Sequence, residues 1–257
     1  MKLGRITAIA ANAFRETIRE QVLYLSLLYT VLLVAAVVMI PEFTQDSAAK
    51  LILDAGLAAV ELVSLIVVVF VGANLINKEI DKRTIFVLVA KPVSRAEFIL
   101  GKHLGISAVI GVLVAIMTAI FIAVMMLRKI PLAIPAILTS NLFTFAQIML
   151  LGALAILFGT FASSLVASLL TLALYLVGNF SKDVLELGEI SKNTSVQAVT
   201  RILYLVLPDL SRANLKNEAV YSLLPSLGDL VQNGVYIISY TLLVLAGAIL
   251  IFARRQF

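Results

Sequence analysis

An all-α polytopic membrane protein is the fold class this sequence predicts, and three observations carry that expectation. Of the 257 residues, 61% are hydrophobic and 14% charged, with a mean hydropathy of +1.08. Water-soluble domains are about 45–50% apolar and about 25% charged, so there are too few charges here to clothe a soluble surface. Apolar runs long enough to cross a bilayer recur along the chain, beginning with Val22 to Ile40. Ile130 to Ser181 is uncharged over 52 residues. As one helix that stretch would measure about 78 Å against a hydrocarbon core of about 30 Å, so it must fold back on itself.

The elements follow in order along a single transmembrane domain, residues 1–257. Residues 1–21 read as an interfacial elbow helix. Leu3, Ile6, Ala10, Ala13, Phe14 and Ile18 fall on one face, and Arg5, Asn12, Glu16 and Arg19 on another. Spans are predicted over 22–40, 52–76, 100–127, 132–158, 164–180 and 231–252. Pro41 is expected to stop the first, and Arg128-Lys129 closes the third. The small and polar run Gly159 to Ser164 makes the turn between the fourth and fifth. The first apolar run exceeds the roughly 7–15 residues of a signal-peptide core, so it reads as a retained span.

Residues 181–230 are mixed in character and predict short helices outside the membrane. Thr194 to Leu207 carries Val196, Val199, Ile202, Leu203 and Val206 on one side and is ended by Pro208. At about 21 Å it is too short to span. A second short helix is expected from Arg212 to Leu223.

Charge placement sets orientation. With the N-terminus inside, 12 of the 20 Lys and Arg residues lie in cytoplasmic segments and three (Lys50, Arg128, Lys129) in the short outer loops. The expectation is an integral protein of a bacterial inner membrane with both termini cytoplasmic. Basic residues that flank spans also argue against a nucleic-acid partner.

Several chemistries are excluded. Without cysteine there is no thiol catalysis, disulfide or Cys-ligated metal, and one histidine, His103, cannot build a zinc site. His103 reads as an interfacial polar residue at the base of the third span. The Gly101-Lys102 pair sits at the offset of a phosphate-binding loop, but Ala96 stands where glycine is needed and His103 where a hydroxyl would hold magnesium. No GxG occurs anywhere in the chain. No catalytic residue, metal site or cofactor is therefore expected in this chain.

Glu61 is the sharpest oddity inside an apolar span. Sixteen residues, Leu62 to Asn77, separate it from Lys78, which covers about 24 Å and leaves Glu61 in the outer part of the membrane. Ser64 shares its face. Such a group lines a translocation path or bonds to a neighbouring helix. Asn141, Thr144 and Gln147 form a polar stripe on the fourth span, and Ser163, Ser164, Ser168 and Thr171 another on the fifth. Both bond across helices or touch substrate. Gly101 and Gly105 have the spacing of a close helix approach.

The loop from Asn77 to Leu104 is the most informative stretch, with six of the 20 Lys and Arg residues and an apolar helix inside it. Asp81 can cap a helix over Lys82–Ala90, with Ile85, Phe86, Leu88 and Val89 as its apolar contacts. Lys91-Pro92 breaks it. Ser94 and Glu97 form a capping box that restarts the helix into the third span. A short capped helix between two spans can transmit a rigid-body push.

These parts resemble the permease subunit of a type-2 ABC exporter over nearly the whole chain, and are similar to the multicopper-enzyme-maturation branch. The residues that carry the resemblance are Arg15-Glu16-Thr17-Ile18-Arg19, Asn77-Lys78-Glu79-Ile80-Asp81-Lys82-Arg83-Thr84, Lys91-Pro92-Val93-Ser94-Arg95, Leu207-Pro208-Asp209-Leu210-Ser211 and Asn217-Glu218-Ala219-Val220-Tyr221. The resemblance implies that residues 78–97 hold a coupling helix that docks on a separate ATP-binding subunit. Glu79, Asp81, Lys82, Arg83, Thr84, Phe86, Leu88, Lys91 and Arg95 would make that contact. ATP and magnesium would sit on the partner. A second permease subunit, an identical copy or a paralogue, and membrane lipids complete the implied assembly. The rival reading is a secondary transporter or channel acting alone, which would show internal repeats and matched broken spans.

Overall fold

The computed structural model describes residues 3–43, 47–81, 94–191 and 193–254, and every regular element among them is helical. Helix α1 runs from Leu3 to Phe43 without a break in its backbone, through both the amphipathic N-terminal stretch and the first apolar run. Pro41 lies inside its last turn instead of ending it. Proline has no N–H to return to the carbonyl four residues back, which is Val37. The Arg128 side chain, arriving from the far end of the third span, donates to that carbonyl at 3.3 Å and satisfies it.

Helix α2 (Ala48–Val67) continues through a π-helical stretch, Val68–Gly72, into α3 (Ala73–Asp81). The wide π turn was not legible in the apolar sequence, and its neighbours explain how it is tolerated. Ser168 Oγ donates to the Val69 carbonyl at 3.1 Å and Asn74 Nδ2 to the Phe70 carbonyl at 2.9 Å. The Gly72 backbone approaches so closely that a Cβ there would stand 2.9 Å from Ala155 Cβ.

Helix α4 (Arg95–Leu127) opens on the expected capping box. Ser94 Oγ accepts from the Glu97 N–H at 3.2 Å, and Glu97 Oε2 accepts from the Ser94 N–H at 2.9 Å. α5 (Ile134–Gly159) and α6 (Ser164–Asn179) flank the turn at 160–163. Phe180 breaks helical geometry (φ −100°, ψ 10°), and α7 (Ser181–Ile190) leaves at 53° to α6. α8 (Thr194–Val206) follows, with no buried residue.

The second outer helix differs from expectation. In place of one helix over 212–223 there is a 3-10 turn, Leu210–Ala213, and a five-residue α9, Lys216–Val220, ended by Ser222 at φ 57°. Short polar side chains divert the backbone: Asp209 Oδ1 takes the Ser211 N–H at 3.2 Å and Asn214 Oδ1 the Lys216 N–H at 3.4 Å. Helix α10 (Leu227–Arg254) completes the chain.

Five of these helical stretches are long and apolar enough to cross a membrane: Tyr24–Phe43, Ala48–Glu79, Arg95–Leu127, Ile134–Gly159 and Leu227–Arg254. The bent pair α6 and α7 makes a sixth if counted as one span. α4 and α5 supply much of the core, with Leu113, Met117, Phe121, Ile148 and Leu151 fully enclosed. α1 docks on α4 where the two glycines predicted it. A Cβ at Gly101 would meet Ile9 Cβ at 2.7 Å, and one at Gly105 would meet Ala13 Cβ at 2.6 Å. Leu27, Leu28, Val31, Leu32 and Val38 on α1, and Leu165, Leu169, Leu172 and Leu176 on α6, face outward, as lipid-facing surfaces require.

Candidate functional site

Three polar assemblies interrupt this apolar bundle. The first lies at the end that carries both described termini. Arg95, the first residue of α4, donates from Nη1 to the last carbonyls of α10, Phe252 at 2.6 Å and Ala253 at 2.7 Å. A cation at a helix C-terminus also meets the negative end of the dipole. The Phe98 and Phe252 rings stack beneath it with centroids 5.7 Å apart. Glu97 faces Arg5 of α1 at 3.8 Å. Glu79, on α3, pairs with the nearly enclosed Lys102 of α4 at 2.8 Å, and Lys78 pairs with Glu16 of α1. α1, α3, α4 and α10 are thus tied together on either side of residues 82–93.

The second assembly centres on Glu61, which is only 3% exposed. One carboxylate oxygen accepts from Lys216 Nζ at 2.6 Å. The other accepts from the Tyr175 hydroxyl at 2.9 Å and Gln147 Nε2 at 3.3 Å. Gln147 Nε2 also lies 3.5 Å from Asn179 Oδ1. A buried carboxylate is tolerated when it is both charge-paired and hydrogen-bonded, and this one is. It joins α2, α5, α6 and α9.

Asp209 anchors the third, at the opposite end from the termini. It is 2% exposed and accepts from Ser181 Oγ at 3.0 Å, Ser211 Oγ at 2.6 Å, Arg212 Nε at 3.1 Å and the Tyr204 hydroxyl at 3.3 Å. Its own N–H donates to the Tyr236 hydroxyl at 2.9 Å, and the Tyr240 hydroxyl donates to the Val206 carbonyl at 2.6 Å. Residues 204–212 are thereby fastened to α7 and α10.

The residues singled out in the sequence separate into groups. Glu61 and Gln147 meet. Ser64 does not join them: it is fully buried and donates to the Val60 carbonyl of its own helix at 2.7 Å. Asn141 turns to α4, where its Nδ2 donates to Thr118 Oγ1 at 2.8 Å. Thr144 is buried between the two levels. On α6, Ser168 bonds the π-helical stretch as described, Ser164 bonds Asn74, and Thr171 bonds the Ala167 carbonyl of its own helix at 2.7 Å. His103 lies inside the bundle, at the start of the third span. It is 3% exposed and donates from Nε2 to the Met149 carbonyl of α5 at 3.0 Å.

Of the docking residues, Glu79 and Arg95 brace the two ends of the loop, and Asp81 is the last residue of α3. Lys82, Arg83, Thr84, Phe86, Leu88 and Lys91, with the helix expected over 82–90, lie outside the described residues.

Sequence reasoning missed Lys216, Tyr175 and Asn179. The last two had a signal, since Thr171, Tyr175 and Asn179 continue the polar stripe of the fifth span at intervals of four. Lys216 had none, because it lies 155 positions from Glu61 in a segment where charges are ordinary. Among the described residues no cluster of His, Asp and Glu could hold a metal.

A family model described as ABC-2 family transporter protein matches residues 7–257. No curated protein matches the sequence.

Proposed function

Because the chain belongs to the ABC-2 transporter family and is therefore the membrane subunit of an ABC transporter, we propose that it exports its substrate using ATP hydrolysed on a separate subunit. That partner, with its ATP and magnesium, docks on residues 78–97. Two permease subunits, identical or paralogous, form the path between them. The membrane is a bacterial inner membrane, with both termini and the docking loop cytoplasmic. Within the family the motif residues of this loop favour the multicopper-enzyme-maturation branch.

The observation that carries this reading is the bracing at the two ends of the loop. Glu79–Lys102 and Lys78–Glu16 tie the incoming strand of chain to α4 and α1. Arg95 ties the outgoing one to the end of α10. A push on the segment between them is delivered to four helices at once instead of being lost in a slack connection. Burying a Phe or Leu side chain is worth about 1.5–3 kcal/mol, so Phe86 and Leu88 supply affinity. Lys82, Arg83 and Lys91 set docking orientation and rate. The Phe86→Ala/Leu88→Ala variant is expected to insert normally but to lose the ATPase subunit in pulldown, or to keep it with hydrolysis uncoupled from transport. Arg83→Ala is expected to give a milder, salt-sensitive defect. Unchanged association and coupling in the double variant would remove the docking role.

For Glu61 the bonded geometry favours a clamp over a path-lining residue. Lys216, Tyr175 and Gln147 hold its two oxygens from three elements besides its own helix.

Orientation has its own test. The chain has no native cysteine, so single cysteines report without background. Cysteines at Ser191 and Asn217 are expected to react with a membrane-impermeant thiol reagent in intact cells. Labelling only after lysis contradicts the orientation.

A further inference from the structure

A cleft of about 290 Å³ opens between α1, the π-helical stretch, α3 and α4 at the end of the bundle that carries the termini. One part of its wall is ionic. Glu16 pairs with Lys78 and Glu79 with Lys102, so two carboxylates and two ammonium groups line it as two ion pairs. The other part is apolar, made by Phe70, Val71 and Leu75. Phe70 is 57% exposed although it lies on a candidate span. Lys78 and Glu79 end that span, which places the ionic part at headgroup depth and Phe70 a little over two turns deeper, at the level of acyl chains.

The charge pattern selects the occupant. A simple anion would gain two ammonium groups and meet two carboxylates, and a simple cation would face the reverse. An apolar molecule would take two ion pairs out of water and return no polar contact to either. A group carrying both charges a few atoms apart satisfies both pairs. Its ammonium lies against Glu16 and its phosphate against Lys78, the more exposed pair, with side chains 36% and 48% open. A hydrophobic tail leaving that group runs past Phe70 into the bilayer. A primary ammonium suits the site because its N–H groups donate to carboxylate oxygens.

We propose that this cleft is a binding site for a zwitterionic phospholipid with a primary-amine headgroup, held by Glu16 and Lys78 and by chain contact with Phe70. The site stands independently of any partner ATPase and can be tested on the full chain alone.

The experiment is native mass spectrometry of the delipidated full-length protein titrated with dioleoyl-phosphatidylethanolamine, dioleoyl-phosphatidylglycerol or dioleoyl-phosphatidylcholine. A size-exclusion profile of each variant reports folding. The wild type is expected to retain phosphatidylethanolamine about tenfold better than phosphatidylglycerol, a difference of about 1.4 kcal/mol. Glu16→Gln/Lys78→Met is expected to abolish the preference while the protein stays monodisperse, because half-exposed pairs contribute little to folding. Should that variant fail to fold, Phe70→Ser changes only an exposed side chain and is expected to weaken retention of all three lipids. Soluble phosphoethanolamine is expected not to compete. Equal retention of the lipids by the wild type overturns the proposal, as does an undiminished preference in the ionic variant. If that variant is unfolded, undiminished retention in Phe70→Ser overturns it too. Competition by phosphoethanolamine would reassign the site to a soluble ligand and overturn the lipid assignment.

Discussion

Gly105→Leu is expected to abolish a monodisperse, folded protein, the largest single-residue effect in this structure. A Cβ at Gly105 would lie 2.6 Å from Ala13 Cβ and 2.8 Å from the Ala10 carbonyl oxygen. The second of these is backbone inside α1, so no rotamer change relieves it. α1 and α4 must separate, and the neighbouring contact at Gly101, where a Cβ would meet Ile9 Cβ at 2.7 Å, is lost with it. Overpacking in a well-packed core costs about 1–3 kcal/mol. In a membrane, helix association rests on such close contact because lipid supplies no hydrophobic drive. Gly105→Ala is expected to be milder but clearly destabilised. Gly111→Leu is the control, since a Cβ there first meets the Phe145 ring edge at 3.4 Å. Fluorescence-detected size exclusion after mild heating ranks the three, and wild-type behaviour of Gly105→Leu contradicts the packing.

Lys216→Met is expected to be the next most damaging change. It removes the only cation bonded to Glu61 among the described residues, leaving a carboxylate that is 3% exposed. Removing one partner of a buried pair costs about 3–5 kcal/mol, whereas removing both charges is often close to neutral. The double variant Glu61→Gln/Lys216→Met is therefore expected to recover most of the lost thermal stability. Glutamine keeps an oxygen to accept from Tyr175, and methionine fills the space of the lysine stem. Glu61→Gln alone is expected to be milder than Lys216→Met, because the lysine it leaves unpaired is 20% exposed and can turn to water. Equal damage in the single and double variants would show that Lys216 acts by packing and not by charge.

What the sequence made legible was what depends on neighbours along the chain. The uncharged stretch from Ile130 to Ser181 forced a fold-back, and α5 and α6 meet at the small-residue turn it indicated. The Ser94–Glu97 box and the Gly101–Gly105 pair are local patterns with one steric meaning, and both are present. Contacts set by tertiary approach were hidden. Pro41 signals a helix end in isolation, and only an arginine 87 positions further on, Arg128, lets α1 continue. The π-helical stretch Val68–Gly72 reads as any apolar helix, because what permits it is Ser168 on another span. Asn141, Thr144 and Gln147 share a stripe by spacing, yet Asn141 and Gln147 serve different neighbours, one on α4 and the other on α2 and α6. Glu61 could be recognised as anomalous from its place in the sequence. Its main partner could not, since Lys216 is unremarkable where it stands.

The central claim is that this membrane subunit is driven by a separate ATPase. Its most direct test is purification of the full-length chain from its native membrane under mild detergent, followed by reconstitution into vesicles. The account predicts a co-purifying subunit with a phosphate-binding loop, in equal number to the permease chains, and vanadate-sensitive ATP hydrolysis lost with the Phe86→Ala/Leu88→Ala variant. A chain that purifies without any ATP-binding subunit, and whose vesicles transport on an ion gradient alone, would contradict it and establish the secondary-transporter reading instead.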